Sequence, residues 1–478
     1  KGYAQGGCFG SPAYRIPTPE AALVLRSLWL IAALLALSAC DTGPSNPEQA
    51  EPRSLAEIKE SGKLVVLTRN APTTYYIDRE GHPAGPEYDL VTAFAEFLGV
   101  DVAWELRPNL TAILKSLENG EGDLAAAGLT ATDKRLERFR FGPSYQGVTQ
   151  QVVCRRDNVQ PENVGDLVGL DIRVAANSSY VERLRHLKAN GHPELDWEAT
   201  PELNTETMLR RVWERKIDCT VADSTITDIN RRYYPELITP FNLSREQPLA
   251  WALPAPSEEL DGAIADWLED YRASGKLENH LEKHYGFFEK FDYVDTRTLI
   301  RRIDQRFPQY RRYFRQAAEK YELPFTLLAA QGYQESHWRA NARSPTGVRG
   351  IMMLTRSTAR SLGIENRLDA RQSIFGGAKY MAKMKKRFVD EVTEPDRTWL
   401  ALAAYNVGRA HMHDAQTLAR KKGLSPYHWG SLKQVLPLLA QKEYYQNLKY
   451  GYARGTEPVR YVRRIREYRH VLERELSE

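Results

Sequence analysis

Residues Leu323 to Trp338 read LPFTLLAAQGYQESHW. Pro324 suits the first turn of a helix, where its missing N–H leaves nothing unsatisfied. Leu327, Leu328, Gln331 and Glu335 then recur at helical spacing, so Glu335 stands in line with an apolar stripe. A carboxylate at the edge of such a stripe is desolvated, and its pKa rises toward what a general acid needs near neutral pH. On periodicity alone, an exposed glutamate ahead of a helix end fits better. Helical periodicity continues from Thr298 to the end with no convincing strand, so this part of the chain is expected to be all-α.

Upstream of Gly286 the texture is different. Lys63 to Thr68 (KLVVLT) is a short β-branched run bounded by turn residues, hence a strand. An amphipathic helix over Tyr88 to Leu98, a strand over Val100 to Leu106, a helix over Leu110 to Glu118 and a buried strand over Asp123 to Ala127 follow. A similar series runs through Ile172 to Ala176, Glu206 to Glu214 and Cys219 to Ala222. Alternating strands and helices call for α/β lobes with largely parallel sheets. Two lobes in series imply a cleft between them, a common place for a small ligand.

The charge is too balanced to argue for nucleic acid: 66 basic and 62 acidic residues leave +4. The basic excess is local, at Arg460, Arg463, Arg464, Arg466 and Arg469. Such a helix meets an anionic polymer or membrane, or is simply solvated, the commoner case. Cys8, Cys40, Cys154 and Cys219 lack zinc-ligand spacing, so no metal site is expected. Cys154 and Cys219 fall in strand-like runs, and two buried free thiols are the commoner outcome there, with a bridge as the alternative.

Ala21 to Ala39 (AALVLRSLWLIAALLALSA) has one Arg before an apolar run too short for a good membrane span, which marks a secretory signal. Leu37-Ser38-Ala39-Cys40 resembles the lipobox of bacterial lipoproteins, which implies a lipid on Cys40 and attachment to a membrane. Lys1 to Cys40 contains no Met, and Lys1 to Leu23 looks unlike any signal. Translation is therefore expected to start near Val24 at a non-AUG codon. The organisation read from the chain is a signal region over 1–40, a polar tether over 41–61, an α/β pair of lobes over 62–286 and a helical domain over 287–478.

The lobes resemble the family 3 extracellular solute-binding proteins. The residues that carry this are Gly85-Pro86-Glu87-Tyr88-Asp89-Leu90, Gly128 to Arg135 (GLTATDKR) with Phe141 and Tyr145, and the endings Ser274-Gly275-Lys276 and Lys283-His284-Tyr285-Gly286. The resemblance implies a two-lobed periplasmic-binding-protein fold. Arg135 would hold a ligand carboxylate, assisted by Thr130, and Asp223 would take an ammonium. Ser178 and Ser179 would add donors at a helix start. From spacing alone Arg135 reads as a surface residue and Asp223 as a helix cap.

The helical domain resembles the lytic transglycosylases of the soluble-transglycosylase (Slt) type. Glu335-Ser336-His337-Trp338 is followed in order by Ser344-Pro345-Thr346-Gly347, Gly350 to Leu354 (GIMML), Ala404 to Gly408 (AYNVG), Gly451 to Gly455 (GYARG) and Glu457 to Val462 (EPVRYV). This implies an all-α lysozyme-like domain that cuts peptidoglycan glycan strands, needs no cofactor, and uses Glu335 as acid and base. Ser344 would face the sugar's acetamido group and Met352 would form groove wall, although as bare sequence Met352 reads as core. Tyr405, Asn406, Tyr452 and Tyr461 would line the site, and Glu457 would be a second carboxylate with an orienting role. Met353 stands where the family often has Gln, and this puts any polar role at that position in doubt. With a wall enzyme behind them, the lobes are expected to take a muropeptide or amino acid. The resemblance favours the outer membrane, although Asp41 after Cys40 would favour the inner one. A hydrolytic lysozyme-like enzyme, or a receptor with an inactive helical domain, remain the alternatives.

Overall fold

The computed structural model describes residues 51–78, 81–288, 292–345 and 347–476. The signal region, Cys40 and Thr346 lie outside them.

The first lobe is built on a five-stranded sheet in the order Asp101–Leu106, Lys63–Thr68, Leu124–Ala125, Ala252–Pro254, Phe139–Phe141. Its first three strands are parallel. The last two pair antiparallel, so the sheet is mixed where a largely parallel one was expected. The reason is topological: the lobes are not simply in series. The chain leaves the first lobe through Gln146–Val148, builds the second, and returns through Gln247–Leu249, which pairs antiparallel with the outgoing strand. Returning strands enter the sheet from the opposite direction. Asn109 and Asn204 cap the helices Leu110–Glu118 and Thr205–Trp213 by accepting backbone N–H bonds, each at 2.9 Å.

In the second lobe Gln150–Arg155 lies antiparallel between Cys219–Asp223 and Leu237–Ile238. Cys154 and Cys219 are direct cross-strand partners, with Cα atoms 4.4 Å apart, and they form a disulfide. The expectation of two free thiols is thus corrected. That short Cα separation belongs to a non-hydrogen-bonded antiparallel pair, whose side chains approach closely. Nothing in two runs 65 residues apart announces their register.

From Tyr293 onward the described elements are helices. Phe325–Ser336 is their centre: Thr326 through Tyr333 are all buried, as is Ser336. A helix buried nearly all round lies inside a core rather than on it, so the single stripe read from the sequence was too narrow. Pro324 sits just outside the helix at its N-cap. His337 and Trp338 both adopt left-handed backbone, with φ of 53° and 55°, and this pair ends the helix abruptly. The turn folds Trp338 back under it, fully buried against Phe307 and Tyr333, with its indole N–H on Ala329 O at 2.9 Å.

The C-terminal helix Thr456–Glu475 packs along Phe325–Ser336 and also reaches both lobes. Arg466, which the sequence placed in a basic and mostly solvated cluster, is buried. It donates to Glu282 Oε1 at 2.6 Å and to the carbonyls of Glu282 and Lys283. Glu467 pairs with the buried Arg232 of the second lobe at 3.5 Å, and Arg474 donates to Tyr234 there. A buried charge without such partners is costly, so these contacts specify how the helical half meets the lobes.

Candidate active site and lobe cleft

Glu335 occupies the last turn of the central helix, where that helix opens to solvent; its residue is only partly buried. Its Oε1 accepts a hydrogen bond from the Tyr461 hydroxyl at 2.5 Å. Tyr461 in turn accepts from Gln331 Nε2 at 3.2 Å. The amide donor on the phenol oxygen directs the phenol proton at the carboxyl. Burial pushes Glu335 up to about 8, against the smaller lowering effect of the Tyr461 bond. No charged group contributes to that shift. The carboxyl is therefore mostly protonated at neutral pH and is held by neutral groups alone.

Tyr405 stands nearby. Its hydroxyl donates to Met352 O at 2.9 Å, its ring meets Tyr380, and burial with the adjacent Glu335 raises its pKa well above the usual value. Met352 itself is no groove wall. It is fully buried, and a Cβ on Gly377 would lie 2.6 Å from its side chain. Only its carbonyl faces Tyr405, as the bare-sequence reading of core had it. Met353, at the position of the family's Gln, is partly buried with φ of 44°. Asn406 is exposed one residue before the helix end and makes no hydrogen bond to Glu335 among the described residues. Ser344 is engaged in its own turn, its hydroxyl accepting from Val348 N–H at 3.3 Å. Tyr452 is exposed and rests edge-on against Tyr445. Glu457 is exposed in the first turn of the C-terminal helix, pairs with Arg454 at 3.3 Å and contributes nothing to the shift of Glu335.

In the other half, Thr130, Arg135, Ser178, Ser179 and Asp223 all line one cleft. Arg135 is 5% exposed, so the surface reading from spacing fails. Its guanidinium donates to Thr130 O at 2.8 Å within its own lobe and to Asn177 O at 2.9 Å across the cleft. Its Nε and Asp223 Oδ1 are buried without hydrogen-bond partners. Burial pushes Asp223 up to about 7, opposed by the Tyr180 hydroxyl and by Arg135 and Arg69. Ser178 is turned away, donating to Ala175 O at 2.6 Å. Sequence reasoning missed Arg69, which lines the same cleft and bridges to Glu206 of the second lobe at 2.8 Å. The available signal was its place directly after the strand Lys63–Thr68, since ligands of α/β sheets bind beyond the carboxyl ends of strands. Gln331 was seen only as part of a stripe; nothing in the sequence shows which phenol it meets.

Comparison with known proteins defines the class first. Residues 63–287 match the model of the bacterial extracellular solute-binding proteins, family 3, and residues 312–427 match the transglycosylase SLT domain. The chain is 47% identical to membrane-bound lytic murein transglycosylase F 1 of Alkalilimnicola ehrlichii, over 89% of this chain and 86% of that one. It is 46% identical to membrane-bound lytic murein transglycosylase F of Maricaulis maris, over 94% and 98%. An arginine-binding protein of T. maritima aligns at TM-score 0.44 and 21% identity, covering 49% of this chain and 100% of that one. The chain belongs to the membrane-bound lytic murein transglycosylase F family.

Proposed function

We propose that this protein cleaves the β-1,4 bond between N-acetylmuramic acid and N-acetylglucosamine in peptidoglycan without water, leaving 1,6-anhydromuramoyl ends. The observation that carries this reading is a lone carboxyl, Glu335, raised to about 8 with no second carboxylate bearing on it. Two-carboxylate glycosidases place a nucleophile or a base opposite the acid; substrate-assisted enzymes do without one. Glu335 gives its proton to the bridging oxygen as the C1–O bond breaks. The substrate's acetamido oxygen stabilises the charge at C1. The ionised Glu335 then takes the proton of the 6-hydroxyl as that oxygen bonds to C1. Tyr461 steadies the carboxylate between the two steps, and Tyr405 and Asn406 border the groove. Mass spectrometry of digested sacculi tests this: anhydro ends are expected, and reducing ends would overturn it.

The lobes, over about residues 62–286, take a small ligand bearing a carboxylate and an ammonium, such as a wall-derived peptide or amino acid. The unpartnered Arg135 Nε and Asp223 Oδ1 support this. The protein is held at the periplasmic face of the outer membrane by a lipid on Cys40. Among the described residues no helix is long and apolar enough to cross a membrane. The Cys154–Cys219 disulfide suits an oxidising compartment. Cys40→Ser is expected to release the protein from membranes with its cleavage rate unchanged; sedimentation after a salt wash reads the result.

A further inference from the structure

Asp89, His280 and His284 form a second cluster, away from Glu335; His280 lines a pocket that adjoins the lobe cleft and shares Arg69, Gly128 and Asp223 with it. His280 and His284 lie four residues apart on the helix Lys276–Tyr285 and so share a face. Asp89 comes from the helix Pro86–Leu98, which packs against it. One donor atom from each of the three lies within 4.8 Å of the others. Around a tetrahedral zinc ion at about 2.0–2.2 Å, ligand atoms sit roughly 3.3–3.6 Å apart, so small side-chain shifts close the set. His284 Nε2 is already 2.7 Å from Asp89 Oδ2.

We propose that Asp89, His280 and His284 form a binding site for a divalent transition metal of the zinc class, with water completing the tetrahedron. His280 supplies the independent reason. It is 7% exposed, lies beside the His284 ring at 4.9 Å between centroids, and lines a pocket through which an ion can reach it. Two imidazoles and a carboxylate are a donor set that zinc accepts. The competitor is Lys283, whose ammonium pairs with Asp89 Oδ2. Its side chain is 44% exposed, so it can leave for solvent when a metal arrives. The same helix gives Glu282 to Arg466. A bound metal would therefore staple the first lobe's helix to the element that the catalytic half grips.

The test uses the full chain in detergent, stripped with a chelator and titrated with Co²⁺, whose visible absorption reports tetrahedral coordination, and then with Zn²⁺ as competitor. One equivalent per chain is expected. His280→Ala and His284→Ala should each weaken binding about 100-fold or more, with circular dichroism and sacculus cleavage unchanged. Lys283→Ala should tighten it several-fold, because the competing cation is gone. Absence of saturable binding by the wild-type chain overturns the proposal. So does binding that the histidine variants leave intact. Should a histidine variant fail to fold, an unchanged affinity in Lys283→Ala overturns it instead.

Discussion

Glu335 in the helical half and Asp223 in the lobe cleft are both carboxyls pushed up by burial, to about 8 and about 7. Their neighbours differ. Glu335 is touched by a phenol backed by an amide, and no cation enters its surroundings. Asp223 lies within the field of Arg135 and Arg69 and keeps one oxygen without a partner. Burial without counter-charge makes a proton store that is stable enough to wait and weak enough to release. Burial beside cations, with an oxygen left over, makes a socket that is completed by a charged guest. On the proposed function, the same perturbation would serve chemistry in one place and recognition in the other.

The largest effect should come from Glu335→Gln. Loss of a general acid and base costs roughly 10²–10⁴-fold, so sacculus cleavage should fall at least about 100-fold while sacculus binding persists. In the wild type, cleavage should decline as pH rises through about 8, where the store empties. Tyr461→Phe removes the bond that lowers Glu335, so this limb should move to higher pH. The folded pKa of Glu335 lies above its ordinary 4.5. The corresponding stability is present below about 4.5 and is lost as pH rises to about 8. Glu335→Gln escapes that loss. At pH 8–9 it should be more stable than wild type by about 1 kcal/mol or more, roughly 2–4 °C for a unit of this size. Equal melting temperatures would contradict the burial argument.

A smaller effect tests the socket. Stem peptides that bind the cleft should change the cleavage rate by roughly 5–150-fold if lobe and enzyme are coupled, and Arg135→Ala should abolish the response without altering the basal rate. A rate unchanged by peptides shown to bind would leave the lobes as a passive tether. Smaller again is Gln331→Leu. It removes a neutral donor worth about 1 kcal/mol, which is roughly fivefold in kcat, with KM unchanged. Reduction of Cys154–Cys219 should leave cleavage untouched. It closes a loop of 65 residues, so its loss should cost the second lobe roughly 2–4 kcal/mol, visible in denaturant melts.

The division into an α/β pair and a helical half was legible because strand-like runs alternate with helices upstream of Gly286, while only helical periodicity follows from Thr298. Glu335 was singled out by its surrounding words, and the cleft residues by theirs. What the sequence hid depends on chain reversal and on register. The return of the chain into the first sheet makes that sheet mixed, and cross-strand pairing joins the two cysteines. Met352 was misplaced for a related reason. A motif fixes backbone position, but whether a side chain faces groove, core or solvent is decided by the neighbours packed on it, such as Gly377 against Met352.

The C-terminal helix has a mechanical side. Tyr461 and Arg474 are 13 positions apart on it, about 20 Å at 1.5 Å per residue. One end carries the hydroxyl on Glu335, and the other is clamped to Tyr234 of the second lobe. On a lever arm of that length, a tilt of about 3° displaces the hydroxyl by roughly 1 Å. That stretches a 2.5 Å hydrogen bond to the edge of what counts as one. Displacements of that size can cost about 100-fold in rate. If the lobes rotate on the helical half, the rod would convert a tilt too slight to notice in the cleft into a throw felt at the Glu335 carboxyl.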